Sequence, residues 1–216
     1  MRLRTSKAKP VEPDELDDTH GVLLVRLARS SVEHFMDKGV PPKPPEGLDE
    51  LLTKPGAAFV TIQKVGARRG EKELRGCIGT ISPVHPLLET VVRVAIDAAF
   101  RDPRFPPLTR NELDEVIFEV SVLSRLKPLG RGPRDRISGI KVGRDGVVVV
   151  RGPNQGLLLP QVPLDYGWNE LDFLGYACIK AGLPANCWLD KNTLIYRFTV
   201  ASWSEVEPRG RITRTL

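Results

Sequence analysis

Residues 57–81, AAFVTIQKVGARRGEKELRGCIGTI, contain two alternating segments on either side of a polar turn. From Ala57 to Val65, apolar and polar side chains alternate as in a strand with one buried face. The polar run 67–72 is typical of a turn, and Glu73 to Ile81 continues as a second strand. The stretch therefore predicts two consecutive strands at the centre of the fold.

Helical patterns and further strands surround this pair. Caps and apolar spacing predict helices at residues 17–39, 86–100 and 169–182, and a capping box at Thr109 and Glu112 predicts a short fourth helix. Further strands are predicted at 116–122, at 140–150 as a hairpin turning through 143–146, and at 194–200. Strands in hairpins with helices between groups predict an α+β fold with a mostly antiparallel sheet flanked by helices.

Composition sets limits on location and class. The chain has 216 residues, of which 41% are hydrophobic, enough for a large buried core. No apolar run approaches the eighteen residues or so of a membrane span, and no apolar stretch follows the basic residues 1–7 as a secretory signal requires. We therefore expect a cytoplasmic protein that does not enter a membrane.

The three cysteines, Cys77, Cys178 and Cys187, are an odd number and include no C-x-x-C pair. We therefore expect a reducing compartment, with neither a disulfide scaffold nor a structural zinc site, and no other metal site or cofactor is evident. Arginine outnumbers lysine, 21 to 11, which indicates either a thermophilic source or a codon bias.

Positive charge is concentrated between Arg125 and Arg151, where eight basic residues accompany two acids. One interpretation is a patch for phosphate-bearing partners, because guanidinium groups suit phosphate oxygens. The interpretation we favour is a solvated basic loop. No aromatic residue lies within the segment to stack on bases, so nucleic-acid binding is possible but not favoured.

The segment from Leu74 to Gly79 carries the clearest chemical signal. On a regular strand Leu74 and Ile78 share one face while Arg75 and Cys77 share the other. An arginine on the same face favours the thiolate, so Cys77 is a candidate nucleophile activated by Arg75. Glycines at positions 76 and 79 indicate a bulge or close approach by a ligand or another backbone. The alternative is a small buried cysteine without chemistry.

Other polar residues are candidates to support this cysteine. Glu119, on the polar face of a neighbouring strand, is the better candidate general base, and His85 is another because its loop follows the cysteine strand. Asp102 and Arg104 form either a local ion pair or a site for an anion. The remaining histidines lie on or beside the first helix and suggest no metal site.

Several blocks together resemble the AMMECR domain family. They are Leu74-Arg75-Gly76-Cys77-Ile78-Gly79, the run 102–108 (DPRFPPL), the run 119–124 (EVSVLS), the run 158–162 (LLPQV) with Trp168, and the run 180–184 (KAGLP) with Trp188. Asp165 and Asn169 stand where that family usually has Glu and Asp. The resemblance covers roughly residues 15–205.

This resemblance implies two interlocked subdomains, with the cysteine motif facing the groove between them. It implies a domain from 15 to 205, preceded by a flexible N-terminal arm, 1–14, and followed by a basic C-terminal tail, 206–216. It also suggests Memo-type and radical-SAM pathway proteins as partners, but it supplies no reaction.

Two functional hypotheses follow. In the first, the protein is an enzyme in which Cys77, Arg75 and Glu119 are catalytic. In the second, it is a non-catalytic binding or adaptor module for a protein partner. In both, the binding residues are Arg75, Gly76, Gly79, Asp102 and Arg104.

Overall fold

The computed structural model describes residues 9–66 and 71–216 of the chain. The α-helices of this part are α1 (Asp18–Lys38), α2 (Glu50–Thr53), α3 (Leu87–Phe100), α4 (Pro133–Ser138), α5 (Val162–Tyr166) and α6 (Glu170–Lys180). Its strands are β1 (Ala57–Val65), β2 (Lys72–Thr80), β3 (Val116–Leu123), β4 (Lys127–Pro128), β5 (Gly146–Arg151), β6 (Asn154–Leu158), β7 (Leu194–Phe198), β8 (Val200–Glu205) and β9 (Ile212–Arg214). The predicted turn between β1 and β2 lies mostly outside the described residues.

The chain forms two units, each with its own sheet and its own apolar core. Of the described residues, the larger unit contains 9–66, 71–123 and 201–216, and the smaller unit is the intervening segment Ser124–Val200. The strand pairs whose register is described are antiparallel. The predicted α+β class, with antiparallel sheets flanked by helices, is confirmed.

The larger unit is built on a five-stranded sheet in the order β2-β1-β3-β8-β9. The even-numbered residues of β3 and those of β1 as far as Ile62, such as Val60 and Val120, are buried and join the core formed with α1 and α3. The odd-numbered residues therefore lie on the opposite face of this sheet, because side chains alternate along a strand.

Local signals placed the first helix correctly. Asp17 caps α1 by accepting a hydrogen bond from the His20 backbone N–H at 3.0 Å. Gly39 ends the helix in the left-handed conformation, with φ of 70°, which glycine adopts without steric cost.

The smaller unit has a four-stranded sheet in the order β4-β7-β5-β6, and α6 packs against β5 and β6. Cys178 on α6 is bonded to Cys187 in a disulfide that closes a loop nine residues along the chain. The sequence predicted no disulfide scaffold, and this one disulfide was missed because the turn after α6 brings together two cysteines that no C-x-x-C spacing marks. Cys77 is the free cysteine of the described residues.

Two strand predictions in this unit were wrong. Residues 140–150 do not form a hairpin: the turn through Gly143 leads into β5, and the hairpin is β5–β6, which turns at Gly152 with φ of 59°. The predicted strand 194–200 is two strands, since it breaks at Thr199 between β7 of one sheet and β8 of the other.

The basic segment 125–151 is not a solvated loop, because it supplies β4, α4 and β5. Arg136 on α4 is 1% exposed and donates hydrogen bonds to four backbone carbonyls, those of Gly130, Trp188, Asp190 and Thr193. Burial lowers the pKa of its guanidinium. One of the eight basic residues is therefore an internal support of the smaller unit.

The described residues at both ends of the chain pack against the rest of the larger unit. Residues 1–8 of the predicted flexible arm lie outside the described residues, whereas Val11 is 1% exposed and its backbone N–H donates to the Pro55 carbonyl at 2.8 Å. The predicted basic tail, 206–216, includes β9, which pairs with β8.

Candidate functional site

The cysteine motif lies on β2, which is at one edge of the five-stranded sheet. The register with β1 shifts inside the motif: Gly76 pairs with Ile62 and Leu74 pairs with Gln63, which leaves Arg75 without a partner on β1. Such a bulge breaks the alternation of side chains. The predicted shared face of Arg75 and Cys77 was therefore wrong.

Arg75 is directed to an internal ion pair. Its Nε donates to Oε1 of Glu112 at 2.7 Å, and its Nη1 donates to the Pro106 carbonyl at 2.9 Å. Glu112 also accepts from the Thr109 backbone N–H, which completes the predicted capping box. Arg75, together with these hydrogen bonds, lowers the pKa of Glu112 to about 2. Arg75 thus ties β2 to the segment before β3.

Cys77 lies in a row with two polar residues of neighbouring strands. The Cα register pairs Cys77 with Thr61 on β1, and Thr61 in turn with Glu119 on β3. Directly paired residues of antiparallel strands project from the same face. The thiol–hydroxyl–carboxyl row, Cys77, Thr61 and Glu119, therefore lies on the sheet face opposite α3. The expectation that the strand of Glu119 neighbours that of Cys77 was wrong, because β1 lies between β2 and β3. Thr61, the residue of β1 between the two, was missed by sequence reasoning.

The environment of Cys77 holds its thiol protonated. The residue is half-buried, and burial raises the pKa of the thiol. The Thr61 hydroxyl donates to Sγ at 3.3 Å and Arg104 acts in the same direction, both opposing that rise, but burial is the larger effect. The predicted lowering of this pKa by Arg75 does not occur, because Arg75 is paired with Glu112.

Glu119 shares this tendency toward the neutral form. Burial raises the pKa of its carboxyl group, and Lys72 opposes the rise. No hydrogen bond or ion pair of this carboxyl group is seen with any residue of 9–66 or 71–216. A half-buried carboxyl group with a raised pKa is suited to proton transfer near neutral pH.

Asp102 and Arg104 stabilise the open edge of β2. The Cys77 backbone N–H donates to Oδ2 of Asp102 at 2.9 Å, and Arg104 Nη2 donates to the Cys77 carbonyl at 3.2 Å. Arg104 also donates to Asp102 through Nη2 at 2.6 Å, and this pairing holds the pKa of Asp102 well below its ordinary value. Of the two predicted roles, the structure shows the ion pair, which satisfies backbone groups that an edge strand leaves open.

The two motif glycines allow close packing within the larger unit. A Cβ at position 76 would overlap the carbonyl oxygen of Ala98 on α3, and one at position 79 would overlap the Phe59 ring. The predicted close approach is therefore made by the protein's own backbone and side chains, so these glycines position β2 against α3 and β1.

Gly76→Ala is expected to destabilise the protein by about 1–3 kcal/mol, because β2 or α3 must shift to admit the methyl group. The matched control is Gly175→Ala on α6, where the nearest atom to the new methyl group would be 3.6 Å away. That change should be neutral or stabilise by up to ~1 kcal/mol, since alanine favours helices. Thermal unfolding of the two variants measures the difference, and equal effects would contradict the close packing at position 76.

His85 is placed away from the row. It lines a cavity with Pro41, Pro42 and Pro44 beside α3, and its carbonyl accepts from the Gly56 backbone N–H at 3.0 Å. The structure therefore does not bring His85 to Cys77 as the alternative base.

In the part of the chain that the structure describes, no group of three or more His, Cys, Asp or Glu residues could hold a metal ion. No helix there is long and apolar enough to cross a bilayer.

Comparison with known proteins gives consistent matches along the chain. The model of the AMMECR1 family matches residues 25–203. A protein from Aeropyrum pernix is 49% identical, with 99% of this chain and 91% of that protein covered. One from Thermococcus onnurineus is 44% identical, with 92% of this chain and 97% of that protein covered.

A solved structure extends the match to the fold. The crystal structure of an uncharacterized protein from Pyrococcus horikoshii has a TM-score of 0.87 and 43% identity, and the match covers 93% of this chain and 98% of that chain. These relatives come from thermophiles, which supports the thermophilic interpretation of the arginine excess. The family match spans most of the chain and is joined by relatives of more than 40% identity, so this chain belongs to the AMMECR1 family.

Proposed function

We propose that the protein is an enzyme whose reacting group is the Cys77 thiol, with Glu119 as the group that accepts its proton. The observation that carries this proposal is the row Cys77–Thr61–Glu119 across three adjacent strands. Titratable groups with shifted pKa values cluster at active sites more than elsewhere. Here burial raises the pKa of both the thiol and the carboxyl group.

In this mechanism the thiol is protonated at rest and becomes a nucleophile only as the proton leaves. Sγ adds to an electrophilic carbon of a substrate double bond, whose π electron pair moves to the atom at its other end. The S–H bond breaks at the same time, and the proton passes through a bridging water to the carboxylate of Glu119, since β1 separates the two strands. Thr61 donates its hydroxyl hydrogen to Sγ at 3.3 Å, so it can stabilise negative charge that develops on sulfur. Arg75, Asp102 and Arg104 hold β2 in place and do not react.

Alkylation of Cys77 by iodoacetamide tests this function without a known substrate. Because Cys178 and Cys187 are bonded to each other, the non-reduced protein offers Cys77 as its free thiol, and Cys77→Ser removes the signal. Burial raises the thiol pKa, so the rate should climb with pH, with an apparent pKa above the reference of about 8.5. Thiolate is the reactive form, so alkylation should be slow but measurable at pH 7.

Glu119→Gln distinguishes a base from a mere neighbouring charge. If Glu119 accepts the proton, the variant should alkylate roughly tenfold more slowly at pH 7, a modest share of what general bases contribute. If Glu119 acts only through its charge, which raises the pKa of Cys77, the variant should instead alkylate faster. Glu115→Gln is the control, since this carboxylate pairs with Lys64 at 2.8 Å and should leave the rate unchanged. Faster alkylation of the Glu119 variant would overturn the catalytic role of Glu119.

A binding or adaptor module is the second candidate. The observation that favours it is the commitment of Arg75 and Arg104 to internal ion pairs, together with a half-buried cysteine whose raised pKa disfavours thiolate. Its partner would be a protein, with Memo-type and radical-SAM pathway proteins as the first to test by co-elution. This function predicts that Cys77 resists alkylation at every pH in the folded protein and that Cys77→Ser leaves partner binding intact.

A further inference from the structure

The basic segment contributes to a charged cavity inside the smaller unit. The cavity has a volume of about 220 Å³ and lies where β4 and β7 pair, next to the turn before β5. Its lining residues all belong to the segment Ser124–Val200; they are Ser124, Lys127, Arg144, Asp145, Arg197, Phe198 and Thr199.

Asp145 organises the cavity. Its side chain is 2% exposed, and it accepts hydrogen bonds from the Lys141 backbone N–H at 2.8 Å and from Arg144 Nη2 at 2.6 Å. Arg197 Nη1 lies 3.7 Å from the same carboxylate. One buried carboxylate thus holds two guanidinium groups at the wall of the cavity. Because these two side chains are already held in place, they lose little conformational entropy when a ligand binds.

Positive charge in the cavity exceeds this counter-charge. Three lining side chains are cationic and one is anionic, so two positive charges are unbalanced. Lys127 and Arg197 are direct Cα partners across β4 and β7, and like charges placed opposite each other on a sheet repel. No ion pair or hydrogen bond of the Lys127 ammonium is seen within the described residues. An anion bound between these two side chains would remove the repulsion.

We propose that this cavity binds a small molecule through a phosphate monoester group. A phosphate monoester carries about −1.5 to −2 charges at neutral pH, which matches the two unbalanced cations, whereas each phosphodiester of a nucleic acid carries one. The guanidinium groups of Arg144 and Arg197 and the ammonium of Lys127 supply the charge-assisted donors that phosphate oxygens accept. The site is independent of the thiol–hydroxyl–carboxyl row and does not rest on the function proposed for it.

Inorganic phosphate is the first probe, measured by calorimetric titration at constant ionic strength against chloride. Saturable binding is expected, and Lys127→Gln should weaken it at least about tenfold by removing one charge-assisted donor. Arg197→Gln should act in the same direction. Because Lys127 is exposed and has no described partner, its variant should fold normally, as circular dichroism would show. The control, Arg134→Gln, removes one positive charge from the same segment outside the cavity and should leave affinity within about twofold.

Two outcomes would overturn the proposal. The first is a lack of specificity: phosphate binds no more strongly than chloride, or Arg134→Gln weakens phosphate binding as much as Lys127→Gln does. The second comes from a comparison of ribose 5-phosphate with a single-stranded oligonucleotide. The monoester should displace inorganic phosphate, and tighter, steeply salt-dependent oligonucleotide binding that Lys127→Gln abolishes would assign the cavity to nucleic acid instead.

Discussion

Arg29→Met should lower the free energy of unfolding by about 3–5 kcal/mol, because it leaves a buried carboxylate without its cation. Arg29 and Glu205 are 6% and 3% exposed, and Arg29 Nε donates to Oε1 of Glu205 at 2.7 Å. The arginine also donates to the carbonyls of Leu113 and Val116 at 2.9 and 2.7 Å. The change would therefore strand three acceptor groups in the core of the larger unit.

Guanidinium chloride unfolding at neutral pH measures this loss, and two further variants interpret it. Replacing both charges, as Arg29→Met with Glu205→Met, removes the stranded carboxylate and should cost less than Arg29→Met alone. The double variant should still be less stable than the wild type, since the carbonyls of Leu113 and Val116 lose the hydrogen bonds that Arg29 donates. Lys64→Gln, from the exposed pair with Glu115, should leave stability unchanged within error. A loss below about 1 kcal/mol for Arg29→Met would show that solvent reaches this pair.

This pair also shows where prediction from the sequence ends. Short-range signals were reliable. Alternation predicted β1 at its observed bounds, and Asp17, Thr109 and Asn169 cap α1, the 3₁₀-helix Arg110–Asp114 and α6 where expected. Asn169 is a cap whose side chain accepts from two backbone N–H groups, so its difference from the family pattern does no harm to the helix. Each of these features depends on a few neighbouring residues, whose identities contain the needed information.

Features that depend on distant residues could not be predicted. Arg29 and Glu205 lie 176 positions apart, and nothing near either residue indicates the other. Arg136 looked like surface charge because its acceptors are backbone carbonyls, which every sequence has. The Cys178–Cys187 bond depends on a turn whose path the cysteine spacing does not reveal. In thermophiles such a bond is compatible with an intracellular protein, so the cysteine count was a weak guide to compartment.

The candidate site was predicted in part for the same reasons. Cys77 and Glu119 were selected from residue type and strand face, and the register of β1 with both neighbours brings them into one row. Arg75 was assigned to the wrong face because the face was read from regular alternation, whereas a bulge beside Gly76, one of the two meanings that such a glycine has, adds one residue to the strand. Thr61 was missed because only the register shows that it lies between the other two.

Asp102→Ala should lower the free energy of unfolding by about 2–4 kcal/mol at pH 7, since a buried carboxylate with several charge-assisted hydrogen bonds is lost. The Asp102 side chain is 1% exposed and accepts from the Cys77 backbone N–H and from both the backbone and the side chain of Arg104. Arg104 is half-exposed, so water can solvate it in the variant, which keeps the loss below that for Arg29→Met. Asp97→Asn, from the exposed pair with Arg101, is the nearby control and should leave stability unchanged within error.

The stability that Asp102→Ala loses should depend on pH, and the lowered pKa of Asp102 fixes the direction of that dependence. Arg104 holds the pKa of Asp102 in the folded protein well below the ordinary value of 3.8. A carboxyl group with a lowered folded-state pKa stabilises the fold fully above its unfolded-state pKa and loses that contribution as pH falls through the folded value. The stability difference between wild type and Asp102→Ala should therefore be constant from pH 7 to about pH 5 and shrink below about pH 4. Unfolding curves at pH 7, 5 and 3 measure it.

The same variant tests whether the DPR segment, residues 102–104, braces the cysteine strand or is held ready for a ligand. If Asp102 secures the edge of β2, its loss should promote local opening there, and iodoacetamide should alkylate Cys77 roughly tenfold faster at pH 8, because a local opening cheaper by about 1.4 kcal/mol is ten times more populated. Asp97→Asn should leave the alkylation rate unchanged. Unchanged stability together with unchanged alkylation in Asp102→Ala would mean that β2 needs no brace. The carboxylate and the guanidinium beside the Cys77 backbone would then be better explained as ligand-binding groups, and the site would extend from the sheet face to its edge.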